Sequence, residues 1–427
     1  MAEPPIAGGA VLVGEDGRIA AVGKNVDIPR PAGIEEWNLP DAALMPGLVN
    51  THAHLELTAL RGLVRHQPFP RWIATVRRIK DALTPADYRA SARWGVLESF
   101  AAGITTTGDT GSSGEPAIAM AELGARGVAY QEVFGPDPAR CEAALQGLAR
   151  ALDRIRPYTS ARVEAGISPH APYTVSAVLL HDVTAFARAR GLKVAMHVAE
   201  SREETRFVEH GEGPFAEALR ARGITVGPQQ CSPIAWAARG GFLELRPLLI
   251  HCVTAAEDDL RCAARHGATV AHCPWSNYVL GHGRADLELL RRLDIAVGLG
   301  TDSVAAGGGL DLFREARMAA AGGDLEPNVL LRLMTMGGAT ALGLDGVGVL
   351  APGAWGDLVA VSLAAPALAG AEDPEAALAL AATAADVHYT WVAGRVVYQL
   401  GCWSGVDAAE ERAALGRAAA NARRARD

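Results

Sequence analysis

Residues 43–56 read ALMPGLVNTHAHLE, a short apolar run that ends in two histidines, His52 and His54. The apolar part has the length and composition of a buried strand, and polar residues begin where that strand would end. In an extended chain, side chains two positions apart project from the same side, so the two imidazoles can act as a chelating pair. This stretch therefore predicts a buried strand that presents histidines near its carboxyl end.

Seven further runs share that design and alternate with helical segments rich in alanine, leucine and arginine. They are ITTTGDT (104–110), VAYQEV (128–133), VEAGISPH (163–170), KVAMHVAE (193–200), LLIHC (248–252), TVAHCP (269–274) and IAVGLGTDS (295–303). Buried strands that alternate with helices predict βαβ units and a parallel sheet. Eight of them predict an α/β fold, a (β/α)8 TIM-like barrel, whose active residues lie at the carboxyl ends of the strands.

The two ends of the chain depart from this pattern. Residues 10–24 (AVLVGEDGRIAAVGK) predict a β-hairpin, and residues 356–363 (GDLVAVSL) and 389–398 (YTWVAGRVVY) are β-rich. We therefore expect a small β-sandwich formed from both termini. The expected units are a composite β-sandwich domain (1–45 and 350–405), the barrel (46–349) and a C-terminal helix (406–427).

The composition is that of a globular protein, with 427 residues, 49% hydrophobic and 21% charged. No apolar run in the sequence is long enough to span a membrane, and the first residues lack the features of a signal peptide. The six cysteines are scattered without CxxC spacing, which favours reduced thiols over a disulfide framework. We expect a cytoplasmic protein that does not bind membranes.

The formal net charge is −8, and no basic cluster is interleaved with aromatic residues. This balance argues against a nucleic-acid groove and favours a small-molecule substrate. The sequence leaves the oligomeric state open, with a homodimer as one alternative.

Further histidines and a carboxylate lie at other predicted strand ends. His197 ends the run KVAMH and Glu200 follows it, His251 ends LLI, and Asp302 follows VGLGT. His52, His54, His197 and Asp302 make a nitrogen and oxygen set that suits Zn²⁺ or Fe²⁺ and leaves a position for water. A structural zinc site would normally recruit cysteines instead.

With these residues the chain resembles the amidohydrolase superfamily. The motifs that carry the resemblance occur in the family's order: PGLVNTHAHLE (46–56), HVAE (197–200), HC (251–252), HCPWSN (272–277) and GTDS (300–303). Members with two metals usually bridge them with a carboxylated lysine on the fourth strand, and VEAGISPH has no lysine. The resemblance therefore implies one divalent metal ion, Zn or Fe, held by His52, His54, His197 and Asp302.

Mononuclear members with this ligand set are mostly deaminases of nucleobases and nucleosides, so the resemblance implies hydrolytic deamination. Glu200 is then the acid and base that protonates a ring nitrogen, and His251 orients the attacking hydroxide. Asp302 binds the metal and also accepts the proton of the attacking water. His272 competes with His251 for the catalytic role, and the order of the strands favours His251.

The segment SPHAPYTVS (168–176) resembles that of the methylthioadenosine and S-adenosylhomocysteine deaminase group. The resemblance implies that His170 contacts the nucleoside and that Trp72 is an aromatic substrate-binding residue. In that group a glutamate shortly after the tryptophan binds the ribose, whereas this chain has Lys80 and Asp81 there. Trp275 also stands where relatives usually have arginine, so contact of Trp275 with the substrate is an open alternative.

The stretch HAHLEL (52–57) resembles bacterial aminodeoxyfutalosine deaminases of menaquinone biosynthesis. The resemblance implies that Glu56 is a substrate-side residue, while capping of a helix or pairing with Arg61 are its structural alternatives. The expected reaction is conversion of a 6-aminopurine nucleoside, aminodeoxyfutalosine in the first place, to the hypoxanthine form and ammonia.

Related reactions remain as alternatives, because the same hydrolytic attack serves all of them. They are those of a methylthioadenosine/S-adenosylhomocysteine deaminase, a guanine deaminase and a triazine-type chlorohydrolase. A scaffold protein that has lost catalysis is disfavoured, since such proteins typically lack metal ligands and all four candidate ligands are present here.

Overall fold

Most strands are short runs whose side chains are largely buried. The computed structural model describes residues 4–64, 66–321, 323 and 325–426. Within them the strands are β1 (Gly9–Val13), β2 (Ile19–Lys24), β3 (Ala42–Pro46), β4 (Leu48–Ala53), β5 (Ile104–Gly111), β6 (Arg126–Val133), β7 (Val163–Pro169), β8 (Lys193–Val198), β9 (Leu248–His251), β10 (Thr269–His272), β11 (Val297–Leu299), β12 (Leu358–Ser362), β13 (Val387–Val392), β14 (Arg395–Gln399) and β15 (Cys402–Trp403).

Helices fill most of the connections between strands. They are α1 (Phe69–Ala82), α2 (Pro85–Ala101), α3 (Glu115–Leu123), α4 (Cys141–Ile155), α5 (Ala177–Arg190), α6 (Arg202–His210), α7 (Pro214–Arg220), α8 (Pro233–Arg239), α9 (Glu257–Arg265), α10 (Pro274–Val279), α11 (Leu287–Arg292), α12 (Val304–Gly307), α13 (Leu312–Ala320), α14 (Pro327–Leu333), α15 (Met336–Ala341), α16 (Pro374–Leu380) and α17 (Ala408–Arg426). Ser176 and Ser201 begin α5 and α6 by accepting hydrogen bonds from backbone N–H groups of the first turn. Among the described helices, none combines the length and the apolar character that crossing a membrane requires.

The strands from β4 to β11 form one parallel sheet in chain order. β11 returns to β4 through a parallel bridge between Ala53 and Asp302, and the N–H of Asp302 donates to the carbonyl oxygen of His52 at 3.0 Å. Glycine is needed at position 300, because a Cβ there would lie 2.9 Å from both Cys273 Sγ and His52 Cβ. The described sheet thus closes into the barrel, and the predicted (β/α)8 architecture is confirmed.

The chain ends build two antiparallel sheets beside the barrel. β1 pairs with β2, and β15, β14, β13, β12 and β3 form the second sheet in that order. Ile19 of β2 shares one buried apolar cluster with Leu358 of β12 and Trp391 of β13, so the two sheets pack on each other. The predicted sandwich from both termini is confirmed, whereas the exact division into domains stays a prediction.

One predicted strand is divided in the structure. The sequence predicts one barrel strand over residues 43–50, but β3 ends at Pro46 and pairs with β12 of the terminal sheet. Only β4, from Leu48, belongs to the barrel. The chain passes from one sheet to the other at Gly47, where a Cβ would lie 2.3 Å from Thr105 Oγ1. Both strands are short and apolar, so periodicity cannot separate them.

The helix α17 packs against α1 and α2 on the outside of the barrel. Its Ala418 and Ala422 are fully buried, and Arg93 of α2 donates to Glu411 at 2.6 Å. The last described element is thus a helix with one packed face, and the range 406–427 stays a prediction. All six cysteines lie among the described residues as free thiols, as their spacing predicted.

Candidate metal centre and active site

His52 and His54 lie at the carboxyl end of β4, where alternate side chains face the barrel axis. Their Nε2 atoms lie 3.2 and 3.4 Å from the same oxygen, Oδ1 of Asp302. The Nδ1 atom of His54 lies 3.3 Å from the hydroxyl oxygen of Thr110 on β5. Both imidazoles of the HxH pair therefore point at Asp302, the residue after β11 through which the barrel closes.

His197 approaches this pair from β8. Its Nδ1 donates to the carbonyl oxygen of His170 at 3.0 Å, which leaves Nε2 with a free lone pair. Nitrogen atoms of His52, His54 and His197 lie within 4.8 Å of one another. Three imidazoles can thus offer ligand atoms to one ion.

Asp302 completes the set from a strained backbone position, with φ 55°. Its Oδ2 accepts a hydrogen bond from Ser276 Oγ at 2.5 Å, so the carboxylate is fixed on both sides. Burial alone would raise the pKa of Asp302, but the hydrogen bonds with His52 and His54 outweigh burial and hold the pKa well below its usual range. Asp302 is therefore an anionic oxygen donor.

The donor set fits a divalent metal ion. Burial lowers the pKa of His52 to about 4 and lowers that of His197 as well, so both imidazoles are neutral, the form that binds metals. Burial lowers the pKa of His54 too, but the hydrogen bond with Asp302 and the charge of Glu132 outweigh it and raise the pKa to about 9. A metal ion bound through His54 would have to compete with the proton that Asp302 and Glu132 favour on this ring.

Glu200 and His251 lie side by side next to this set. Glu200 Oε1 is 3.7 Å from His251 Nε2 and 3.4 Å from His282 Nε2. The His251 Nδ1 donates to Asn277 Oδ1 at 2.9 Å, which fixes the ring and leaves its Nε2 as an acceptor. Atoms of His251, His52 and Asp302 also come within 4.8 Å of one another. The structure therefore brings both predicted proton-transfer residues to the candidate metal centre.

Four residues that support these groups were missed by sequence reasoning. Glu204 accepts the N–H groups of Ala199 and Glu200 at 2.8 and 2.9 Å and so holds the kink, φ 53° at Ala199, that presents Glu200. The others are Ser276, Asn277 and His282. Ser276 and Asn277 stand in the quoted motif HCPWSN, which was the available signal, but nothing local marks Glu204 or His282.

His272 was the competing candidate for the role of His251. It is fully buried, and neither of its ring nitrogens has a hydrogen-bond partner among the described residues. Burial lowers its pKa to about 3. Among the described residues, His251 lies 3.7 Å from Glu200 and His272 has no such contact, which supports the preference for His251.

His170 lies next to the candidate metal centre, whereas Trp72 lies farther from it. The His170 ring lies 4.8 Å from that of His197, one of the candidate metal ligands. Trp72 stacks on Phe69 at 6.3 Å, and Phe69 in turn lies 4.5 Å from the ring of His282. Trp72 is thus linked to the site through Phe69, and its role in binding substrate stays a prediction.

Glu56 lies in the helical turn Leu55–Leu60 that directly follows β4 and the HxH pair. Its fully buried carboxylate accepts the N–H groups of Ser112 and Ser113 at 3.0 and 2.8 Å and lies 3.2 Å from Lys80 Nζ. Burial alone would raise the pKa of Glu56, but Lys80 and the serine hydrogen bonds outweigh burial and hold it at about 2. Glu56 therefore acts as an anion that fixes Lys80, and Arg61, its predicted alternative partner, is paired with Glu98 instead.

Lys80 and Asp81 point in opposite directions. Lys80 Nζ bridges Glu56 and Glu132 at 3.2 and 3.6 Å, whereas Asp81 lies on the surface 3.7 Å from Arg77. Of the two residues left open by the sequence, Lys80 is the one at the site.

Trp275 contacts neighbouring helices and loops of the barrel. Its Nε1 donates to the carbonyl oxygen of Gly307 at 3.0 Å, and its ring stacks on Tyr278 at 5.7 Å. Its backbone N–H donates to the carboxylate of Glu315 at 2.9 Å. These contacts pack Trp275 between α10 and the segment around α12, and its contact with the substrate stays an open alternative.

Comparison with known proteins identifies the family. A model of the amidohydrolase family matches residues 43–397. The chain is similar to the 5-methylthioadenosine/S-adenosylhomocysteine deaminase of Pelotomaculum thermopropionicum, with 32% identity over 427 residues that cover 93% of this chain and 94% of the relative.

Among solved structures, an adenosine deaminase from Xanthomonas campestris with bound zinc has a TM-score of 0.82 and 26% identity, covering 97% of this chain and 94% of that chain. The aminofutalosine deaminase of Helicobacter pylori in complex with methylthio-coformycin has a TM-score of 0.76 and 19% identity, over 90% and 94% of the two chains. The second likeness shows the fold alone. With the family match across most of its length, this chain belongs to the amidohydrolase family and is an enzyme that hydrolyses carbon–nitrogen bonds.

Proposed function

We propose that this enzyme converts a 6-aminopurine nucleoside to the hypoxanthine nucleoside and ammonia in a metal-dependent hydrolysis. The observation that carries the proposal is the contact of Glu200 with His251, 3.7 Å apart, beside three histidines and an aspartate. Deamination of a cyclic amidine needs a proton for the ring nitrogen as well as an activated water. The site offers a group for each task.

The proposed ligands are His52, His54, His197 and Asp302, around one Zn or Fe ion. A bound divalent ion lowers the pKa of water to about 7 and so makes hydroxide available at neutral pH. Asp302 accepts the proton of the attacking water, and Ser276 keeps the second oxygen of Asp302 occupied. His251, whose ring is fixed by Asn277, orients the attacking oxygen.

Glu200 carries out the proton transfer to the leaving side. It protonates a ring nitrogen while the attack on the amidine carbon takes place. The proton that Asp302 accepted from the attacking water then passes to the amino group, which departs as ammonia, and Glu200 regains a proton from the attacking oxygen as the carbonyl group forms. His282, 3.4 Å from Oε1, and Glu204, which holds the backbone of Glu200, position this carboxylate.

For the substrate we propose aminodeoxyfutalosine, which would place the enzyme in menaquinone biosynthesis. The proposal rests on HAHLEL (52–57), with Glu56 acting on the substrate side through Lys80. Methylthioadenosine and S-adenosylhomocysteine are the second candidates, supported by the 32% identity to a relative of that name. The cytoplasmic location, the absence of nucleic-acid partners and a homodimer stay predictions.

A substrate panel tests the proposal. We expect deamination of aminodeoxyfutalosine, methylthioadenosine, S-adenosylhomocysteine or adenosine, measured at equal concentrations through the change from adenine to hypoxanthine absorbance and through ammonia release. The mass of each product confirms replacement of the amino group. Aminodeoxyfutalosine is expected to give the highest kcat/KM, because the stretch HAHLEL (52–57), which contains Glu56, resembles the deaminases that act on this compound.

Guanine and a chlorotriazine belong in the same panel. If either is turned over faster than every adenine nucleoside, the nucleoside proposal is wrong and another amidohydrolase reaction replaces it. If methylthioadenosine or S-adenosylhomocysteine gives the highest kcat/KM, the proposed deamination stands and the proposed substrate, aminodeoxyfutalosine, is replaced by that compound.

A further inference from the structure

Glu132, at the end of β6, is a buried carboxylate that the proposed mechanism does not use. Its side chain is 1% exposed, and neither oxygen has a hydrogen-bond partner among the described residues. Lys80 Nζ lies 3.6 Å from Oε2 and compensates the charge. A buried carboxylate without hydrogen-bond donors is costly, so this arrangement indicates that donors come from a ligand.

The Nε2 atom of His170 is a second hydrogen-bond acceptor next to the Glu132 carboxylate. The hydroxyl group of Thr174 donates to the carbonyl oxygen of Ala171 at 3.1 Å, so it accepts from His170 Nδ1 at 2.8 Å. His170 therefore carries its proton on Nδ1, and its Nε2 has a free lone pair. This Nε2 lies 3.9 Å from Glu132 Oε1.

Two acceptors thus face each other across 3.9 Å without a proton between them. They repel one another unless a group with two hydrogen-bond donors lies against both. Two neighbouring hydroxyl groups meet this requirement, since each can donate to one acceptor.

The position of the pair indicates which part of a nucleoside it meets. Glu200 and His251, which act on the ring, have side chains only 5% and 1% exposed. His170 and Lys80 are 13% and 16% exposed, and Phe134, whose ring lies 4.8 Å from His170, is 40% exposed. Glu132 itself is 1% exposed and lies beneath this more open side, next to His170 and Lys80. With the purine ring at Glu200, the sugar is the part of a nucleoside left to reach this more open side and contact Glu132 from above.

We propose that Glu132 is a specificity-determining residue that, together with His170 Nε2, accepts hydrogen bonds from the 2′- and 3′-hydroxyl groups of the substrate's ribose. Lys80, itself fixed by Glu56, holds the Glu132 carboxylate in place. The inference rests on the proposed function, because it requires a nucleoside as the substrate. In this proposal the Glu56–Lys80 ion pair positions the Glu132 carboxylate for binding the ribose.

Equilibrium binding tests this proposal without turnover. Metal-loaded wild type and Glu132→Gln are titrated with inosine, 2′-deoxyinosine, 3′-deoxyinosine and 2′,3′-dideoxyinosine. In the wild type we expect inosine to bind about 10- to 100-fold more tightly than the dideoxy compound, the size expected for hydrogen bonds to a charged acceptor. In Glu132→Gln this ratio should fall by about tenfold, because the amide offers a weaker acceptor.

Matched variants separate this role from a structural one. Glu164→Gln makes the same change on the neighbouring strand β7, where Glu164 pairs with Lys193 near the surface, and should keep the wild-type ratio. Glu132→Asp, which keeps the charge, should recover part of the ratio. Thermal melting shows whether each variant is folded.

Three outcomes would overturn the inference. An unchanged ratio in a folded Glu132→Gln would remove the residue from ribose recognition. Loss of a metal equivalent in Glu132→Gln would make Glu132 a metal ligand, since its oxygen lies within 4.8 Å of nitrogens of His170 and His197. If no inosine binds and no adenine nucleoside is deaminated, the proposed function fails and this inference with it.

Discussion

Replacing Glu200 by glutamine is expected to lower kcat by about 10²–10⁴-fold while the metal content stays at the wild-type level. Glutamine keeps the shape and the hydrogen-bonding capacity toward His282, but it cannot deliver a proton to a ring nitrogen. The Glu200 side chain stands beside the candidate ligands, and its backbone is held independently by Glu204. The loss should therefore appear in kcat and leave the fold intact.

Glu217→Gln on α7 is the matched control, because Glu217 is exposed and lies outside the site. It should retain wild-type kcat. Turnover by Glu200→Gln close to that of this control would remove Glu200 from the mechanism. A strong fall in metal content would instead show that Glu200 holds the ion.

Asp302→Asn is expected to impair both metal binding and turnover. The change removes the anionic ligand, so metal affinity should fall by more than the 10- to 100-fold typical of residues that only support ligands. Loss of the proton acceptor alone should lower kcat by about 10²–10⁴-fold even at saturating metal. Metal titrations followed by kinetics at saturation separate the two effects.

Asp294→Asn is the matched control for Asp302→Asn. Asp294 is exposed and precedes β11, whereas Asp302 follows β11. The Asp294→Asn variant should bind metal and turn over like the wild type. Normal turnover of Asp302→Asn at saturating metal would rule out Asp302 as the proton acceptor, and unchanged metal affinity would rule it out as a ligand.

The barrel and the convergence of its strand ends could be predicted from the sequence. The prediction worked because parallel strands bring their carboxyl ends to one side, so His52, His197 and Asp302 meet although they are far apart in the chain. The spacing of two between His52 and His54 also predicted that both rings project from the same side of the strand. These are consequences of local pattern and topology, which the sequence carries directly.

The supporting contacts could not be predicted in the same way. Glu204 serves Glu200 only because the chain kinks at Ala199, and a left-handed alanine has no local signature. The partner of Glu56 proved to be Lys80 from α1, and not the nearby Arg61, because the side chains meet across the barrel rim. Such pairings depend on how elements pack, which periodicity does not specify.

The most direct test of the account is titration of metal-free enzyme with zinc or ferrous ion while ammonia release from an adenine nucleoside is followed. We predict no activity without metal and a linear rise to a plateau at one equivalent per chain, since the proposed ligands His52, His54, His197 and Asp302 form one site for one ion. A plateau only at two equivalents, or full activity in the metal-free enzyme, would contradict the single-metal deaminase.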